Sequence, residues 1–152
     1  MNQTQTSTLP KDTYFVAVKV LLRDGPLLLI THDIFGQWDW PGGRLRTDEF
    51  ATPFSEVVER KMREELGTEV RYELGEPRVF FRHQRQEHGA NGETVRIFAV
   101  GYEAKYVDGR LDLGPHHDEH LWVNVGSFRP EEYFEGGWLA GVQDYLRLLS
   151  GH

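Results

Sequence analysis

The chain contains no cysteine. Disulfide staples, thiolate nucleophiles and cysteine-bound zinc are therefore excluded, and a reducing compartment suits it. Long apolar runs are missing too. Leu27-Leu28-Leu29-Ile30 is far too short to span a bilayer, and Met1 to Thr8 has no apolar stretch of the secretory kind. Positive charge is scarce: 17 Lys and Arg stand against 24 Asp and Glu, a formal net charge of −7. That balance repels a long polyanion, so a nucleic-acid polymer is a poor partner. A small phosphorylated ligand is still allowed, because a metal ion can screen the charge locally. The expectation is a cytoplasmic protein that works on neither membranes nor nucleic acid.

What is present suits one domain. In 152 residues, 39% hydrophobic and 27% charged are globular proportions, enough for one real core. Four Trp add core bulk and flat surfaces on which a ring can stack. Residues 1–11 read as a disordered polar tail and 12–150 as a single domain. Tyr14–Leu22 and Leu27–Thr31 read as strands joined at Asp24-Gly25, with Pro26 opening the second. A loop over 32–41 leads to a short extended piece from Trp40 to Leu45. Thr52 and Pro53 suit the N-cap and first position of a helix. Phe54, Val58, Met62 and Leu66, with Val57, form its apolar stripe, and Gly67 stops it. Val79–Arg82, Thr94–Ala104 and His120–Val125 read as strands. A last amphipathic helix after Gly137 carries Leu139, Val142, Tyr145, Leu146 and Leu149 on one face. The order predicts an α+β domain, an α/β/α sandwich with a mixed sheet between helices.

Residues 42–67, GGRLRTDEFATPFSEVVERKMREELG, carry the chemistry. A Gly-Gly pair lets the backbone turn sharply and approach a ligand closely. The helix behind it ends in the paired carboxylates Glu64-Glu65. Carboxylates beside a bare carbonyl make a hard-oxygen site of the kind magnesium takes. Read in isolation, the same carboxylates are a solvated face balanced by Arg60, Lys61 and Arg63.

The stretch resembles the box of the Nudix hydrolase family, G-x5-E-x7-R-E-U-x-E-E-x-G-U with U apolar. Gly43 and Glu49 match its first part; Arg60, Met62, Glu64, Glu65 and Gly67 match the second. Trp40-Pro41-Gly42-Gly43 resembles the family's approach to the box, and the order of elements covers nearly the whole chain. There are departures. Ten residues separate Glu49 from Arg60 where seven are usual, which leaves the place of Glu49 open. Lys61 stands where the family has a glutamate. One turn before Glu65, it would neutralise that carboxylate or take the position of a cation.

The resemblance implies a magnesium site, with manganese possible, built from Gly43, Glu64 and Glu65. Glu119 or His117 would act as general base, and Glu65 would be catalytic through the metal. Arg44, Trp38 and His83 are the candidate substrate contacts. Phe35, Trp38 and Trp40 could stack a base, although core packing is the expectation for at least two of them. A second polar cluster gathers His83, Glu87 and His88. The chain is also similar to the GDP-mannose mannosyl hydrolase branch, which lacks the same glutamate. By that likeness His116 would be a metal ligand, His117 the base and His83 an aid to the leaving group; the branch's loop before Gly-Gly is absent here. Without the resemblance these histidines read as a polar surface loop. The implied function is magnesium-dependent hydrolysis of a nucleoside diphosphate linked to another moiety, a small nucleotide-type substrate, by a chain that can pair as a homodimer. The alternatives are cleavage at a sugar carbon, and a nucleotide-binding module silenced by Lys61.

Overall fold

The computed structural model describes residues 8–87 and 92–151. His88 and most of the expected tail lie outside the described residues. Seven strands form one sheet: β1 (Phe15–Asp24), β2 (Leu27–Asp33), β3 (Trp38–Asp39), β4 (Gly42–Arg44), β5 (Arg71–Gln86), β6 (Thr94–Asp108) and β7 (His117–Asn124). The backbone order is β3-β2-β1-β6-β5, with β4 on β1 and β7 on β2. β1 and β6 run parallel and the other pairs antiparallel, so the sheet is mixed as expected. Helices α1 (Phe54–Leu66) and α2 (Gly136–Ser150) cover its two faces. Among the described residues, no helix is long and apolar enough to cross a membrane.

β1 is the spine. Ala17 to Leu22 are buried without interruption, because the strand is covered on both faces. Alternation divides its side chains. Val18, Val20 and Leu22 meet Val57, Val58, Met62 and Leu66 of α1. Leu21 meets the other core, with Trp40, Phe81, Val142 and Tyr145 on the α2 side. Lys19 must therefore point with Leu21, toward α2. Burial of each large side chain on α1 is worth roughly 1.5–3 kcal/mol, and this holds the helix in place.

Several boundaries differ from the sequence reading. Pro26 sits in the turn, not the strand, beside Gly25 at φ +59°. Pro53 is the N-cap, in place of Thr52: its ψ of 142° is extended and its carbonyl accepts the first helical N–H groups, from Glu56 and Val57. Phe54, expected in the stripe, is 37% exposed because it precedes the turn that touches the sheet. Leu149 is likewise exposed at the far end of α2. β5 starts eight residues before Val79. Gly75 and Pro77 disguised this stretch, and register shifts around Pro77 absorb the proline within the ladder. His117, Asp118 and Glu119, expected before the last strand, belong to β7, where Glu119 faces His32 and His117 faces Asp33.

Candidate functional site

The site begins on the last turns of α1. Arg60 donates two hydrogen bonds of 2.7 Å to Glu49, one to each carboxylate oxygen. Its remaining amine reaches Glu64 at 3.1 Å. Glu49 is 5% exposed and also accepts the Arg46 N–H at 2.8 Å. The Arg60 guanidinium holds its carboxyl below the usual range. The three extra residues between Glu49 and Arg60 thus do not separate the pair. A turn over residues 50–52, closed by the Thr52 N–H bonded to the Glu49 carbonyl at 3.0 Å, takes up the slack. Arg60 braces Glu49 and Glu64 together, and this bracing leaves Glu64 partly spoken for.

Lys61 holds the other side of Glu64. Its ammonium is 3.2 Å from Glu64 and 3.6 Å from Glu65. It also lies against Gly43: a Cβ on that residue would meet Lys61 Cε at 2.5 Å and Nζ at 2.7 Å. Gly42, at φ +138°, has no room for a side chain, since one would run into the Val18 backbone carbonyl. Its N–H instead donates to Glu65 Oε1 at 3.0 Å. The Gly-Gly pair therefore does what its chemistry suggests. It brings bare backbone up to the half-buried Glu65 carboxylate of the helix layer.

Glu65 faces a cleft of about 390 Å³. Gly43, Arg44, Lys61 and His116 share that wall with it. Burial pushes the Glu65 carboxyl up; Lys19 opposes the shift and Asp39 adds to it. Lys19 and Asp39 form an ion pair at 3.0 Å on the cleft floor, with the Lys19 ammonium 5.0 Å from the centre of the Trp138 ring. His83 is at the back. Both its ring nitrogens are buried without a hydrogen-bond partner among the described residues, and burial pulls its pKa down. Arg44 stacks on Phe15 at 4.5 Å and pairs with Glu87. Glu87 also reaches Arg85, the fourth cation of the wall.

His83, Arg85 and Trp138 also line a second, adjoining hollow. Trp38 and Phe35 form its far side. Trp40 is not in it; that ring is wholly buried against Phe81, Trp138 and Tyr145. Trp38 touches His32 and Tyr133 edge-on. Beyond it His32, Asp118 and Glu119 place ligand atoms within 4.8 Å of one another, and His32 is bonded to Asp118 at 2.7 Å.

The structure thus brings Gly43, Arg44, Glu65, His83 and His116 into one cleft and Trp38 beside it. Glu64 stays on its rim, paired with Arg60 and Lys61. His117 and Glu119 line neither hollow. Sequence reasoning missed Lys19, Asp39, Arg85 and Trp138. A lysine inside the apolar run of β1 was the one available signal, since a buried ammonium needs a partner.

The NUDIX domain model matches residues 13–140. The chain belongs to the Nudix family. Among curated proteins, none matches it as a relative. Solved structures agree on the Nudix fold. The MutT protein from Methanosarcina mazei Go1 superposes with a TM-score of 0.70 at 20% identity, over 93% of this chain and 99% of that one. An ADP-ribose pyrophosphatase from Streptococcus suis 89-1591 gives 0.61 at 14%, over 90% and 92%. A UDP-X diphosphatase gives 0.63 at 11%, over 100% and 73%. At such identities the likeness is one of fold.

Nudix hydrolases generally use divalent metals, and two sets of possible ligands are present among the described residues: the His32, Asp118, Glu119 cluster and the cleft residues Gly43, Glu65 and His116. Gly43, Glu65 and His116 offer a backbone oxygen, a carboxylate and an imidazole on one wall. Glu64 is already shared between two cations, and the Lys61 ammonium fills the space against Gly43.

Proposed function

We propose that this Nudix chain hydrolyses the diphosphate of a nucleoside diphosphate linked to a second moiety, with one magnesium or manganese ion held by Gly43, Glu65 and His116. The observation that carries the reading is the composition of the cleft. Four cationic side chains, Lys19, Arg44, Lys61 and Arg85, surround two carboxylates, Asp39 and Glu65, in a protein of net charge −7. Such a wall suits a compact polyanion. The aromatic hollow next to it, with Trp38 and Trp138, suits a flat base. The names of two structural neighbours, an ADP-ribose pyrophosphatase and a UDP-X diphosphatase, point to the same substrate class.

The roles follow from position. Arg44, Arg85, Lys19 and Lys61 bind and orient the phosphates, which is most of what phosphoryl transfer asks of a protein. His83 has two unused ring nitrogens at the junction of the hollows and reads a polar group of the substrate there. A bound divalent ion supplies charge neutralisation and a more acidic water. Glu65 and His116, taken as ligands of the ion, are assigned no second role as the base; Glu119 and His117, which line neither hollow, are given no step.

The test is a panel of nucleoside triphosphates, dinucleotides and nucleotide sugars, with wild type and Glu65→Gln, with and without magnesium. Products are resolved by chromatography. Monophosphates formed only by wild type with magnesium support attack at phosphorus. An intact diphosphate with free sugar supports cleavage at carbon. No turnover, but a melting shift with a ligand, supports a binding module, which the placement of Lys61 favours as the second reading.

A further inference from the structure

Lys61 does more than replace a carboxylate. Its ammonium is fixed from three sides: Glu64 at 3.2 Å, Glu65 at 3.6 Å, and the bare Cα of Gly43. That slot between α1 and β4 is walled by two carboxylates and glycine backbone, a setting for a hard cation. The lysine side chain is only 17% exposed there, so its charge is a built part of the wall. The nearer contact, to Glu64, is a hydrogen bond. The Glu65 contact at 3.6 Å is an ion pair beyond hydrogen-bond reach. An ammonium has three donors, so Lys61 keeps donors for the cleft it lines.

Lys19, on the cleft floor beside Gly42, is held too. It is 8% exposed, donates to both Asp39 oxygens at 3.0 and 3.2 Å and to the Trp40 carbonyl at 3.4 Å, and lies against Trp138, so it contributes mainly its fixed charge. Both ammonium groups are positioned before any ligand arrives. Neither needs a free ion to be captured first.

We propose that Lys61, together with Lys19, is a resident cation pair that binds the diphosphate group without a divalent ion, and that at most one divalent ion adds to the cleft. This rests on the reading of the cleft as a diphosphate site. Charge-assisted bonds from a fixed ammonium to phosphate oxygens would supply the affinity that a second metal would otherwise give.

The experiment titrates inorganic pyrophosphate into the full chain by calorimetry, in EDTA and again with magnesium. Wild type is expected to bind in EDTA. Lys61→Gln should bind about 10- to 100-fold more weakly there, as expected for one hydrogen bond to a charged group. Lys61→Arg should keep most of the affinity, and Lys61→Glu should bind only when metal is present. Circular dichroism checks that each variant is folded. Manganese counted by electron paramagnetic resonance should reach no more than one equivalent in wild type and rise in Lys61→Glu. Binding by wild type with magnesium but not in EDTA would overturn the proposal and leave the diphosphate reading standing. Unchanged binding by folded Lys61→Gln, or two manganese ions in wild type, would also overturn it. No binding under either condition would instead remove the diphosphate reading itself.

Discussion

Glu49 offers the sharpest test of how the box is held together. Replacing it with alanine removes two 2.7 Å bonds from Arg60 and one 2.8 Å bond from the Arg46 N–H. The carboxylate is 5% exposed, so water does not replace what is lost. Breaking a buried charge pair from one side costs about 3–5 kcal/mol. Arg60 is 20% exposed on its side chain and keeps Glu64 at 3.1 Å, which places the cost near the lower end, about 3 kcal/mol. At roughly 2–4 °C per kcal/mol for a domain of this size, the melting temperature should fall by about 6–12 °C. Glu49→Gln keeps an acceptor for Arg46 and should fall less. Urea unfolding of Glu49→Ala, Arg60→Ala and the double variant measures the coupling directly. The pair should couple by more than about 1 kcal/mol. Simple additivity, or a loss in Glu49→Ala below that figure, would refute the bracing argument. The pH dependence has a definite sign. The Arg60 bond lowers the folded pKa of Glu49, so its stabilisation is full above the unfolded carboxylate pKa and is lost as pH falls through the lower folded value.

The glycine pair should split in its tolerance. Gly42→Ala must push against the Val18 carbonyl at a φ of +138°, and should unfold the protein or cost more than about 3 kcal/mol by thermal melting. Gly43→Ala meets only the flexible end of Lys61, so stability should change by less than about 1 kcal/mol while pyrophosphate affinity drops. His83→Phe removes two buried nitrogens that have no partner and should stabilise the protein by about 1–2 kcal/mol, at the expense of substrate affinity. Burial lowers the folded pKa of His83, so wild type loses stability as pH drops below the unfolded histidine value; the gain of His83→Phe should therefore grow between pH 7 and pH 5. A gain that is flat with pH would rule out His83 as the titrating group.

Much of this protein is settled by local pattern. The Val57, Val58, Met62, Leu66 stripe is written at helical spacing, and Gly67, at φ +88° with its N–H on the Arg63 carbonyl, ends the helix as its chemistry requires. The Gly42-Gly43 pair and the Arg60, Glu64, Glu65 offsets identify the Nudix box from the sequence alone, and the missing cysteines exclude whole classes of chemistry. Tertiary structure decided the rest, because it depends on which groups meet through space. Glu49 and Arg60 are eleven residues apart, and only the folded turn between them shows that the lengthened box still closes. Lys19 reads as an anomaly in β1 until alternation turns it toward Asp39 and Trp138. His117 and Glu119 read as neighbours of His116, and the fold shows that β7 pairs them with Asp33 and His32 of β2 while His116 lines the cleft. Lys61 could be seen to lie over Glu65 on a helix, but its seat against Gly43 required the helix and the strand to be packed together. Periodicity acts over one turn or one pleat and can be read along the chain; charge pairing and exclusion act across the space between elements, which only the packed fold defines.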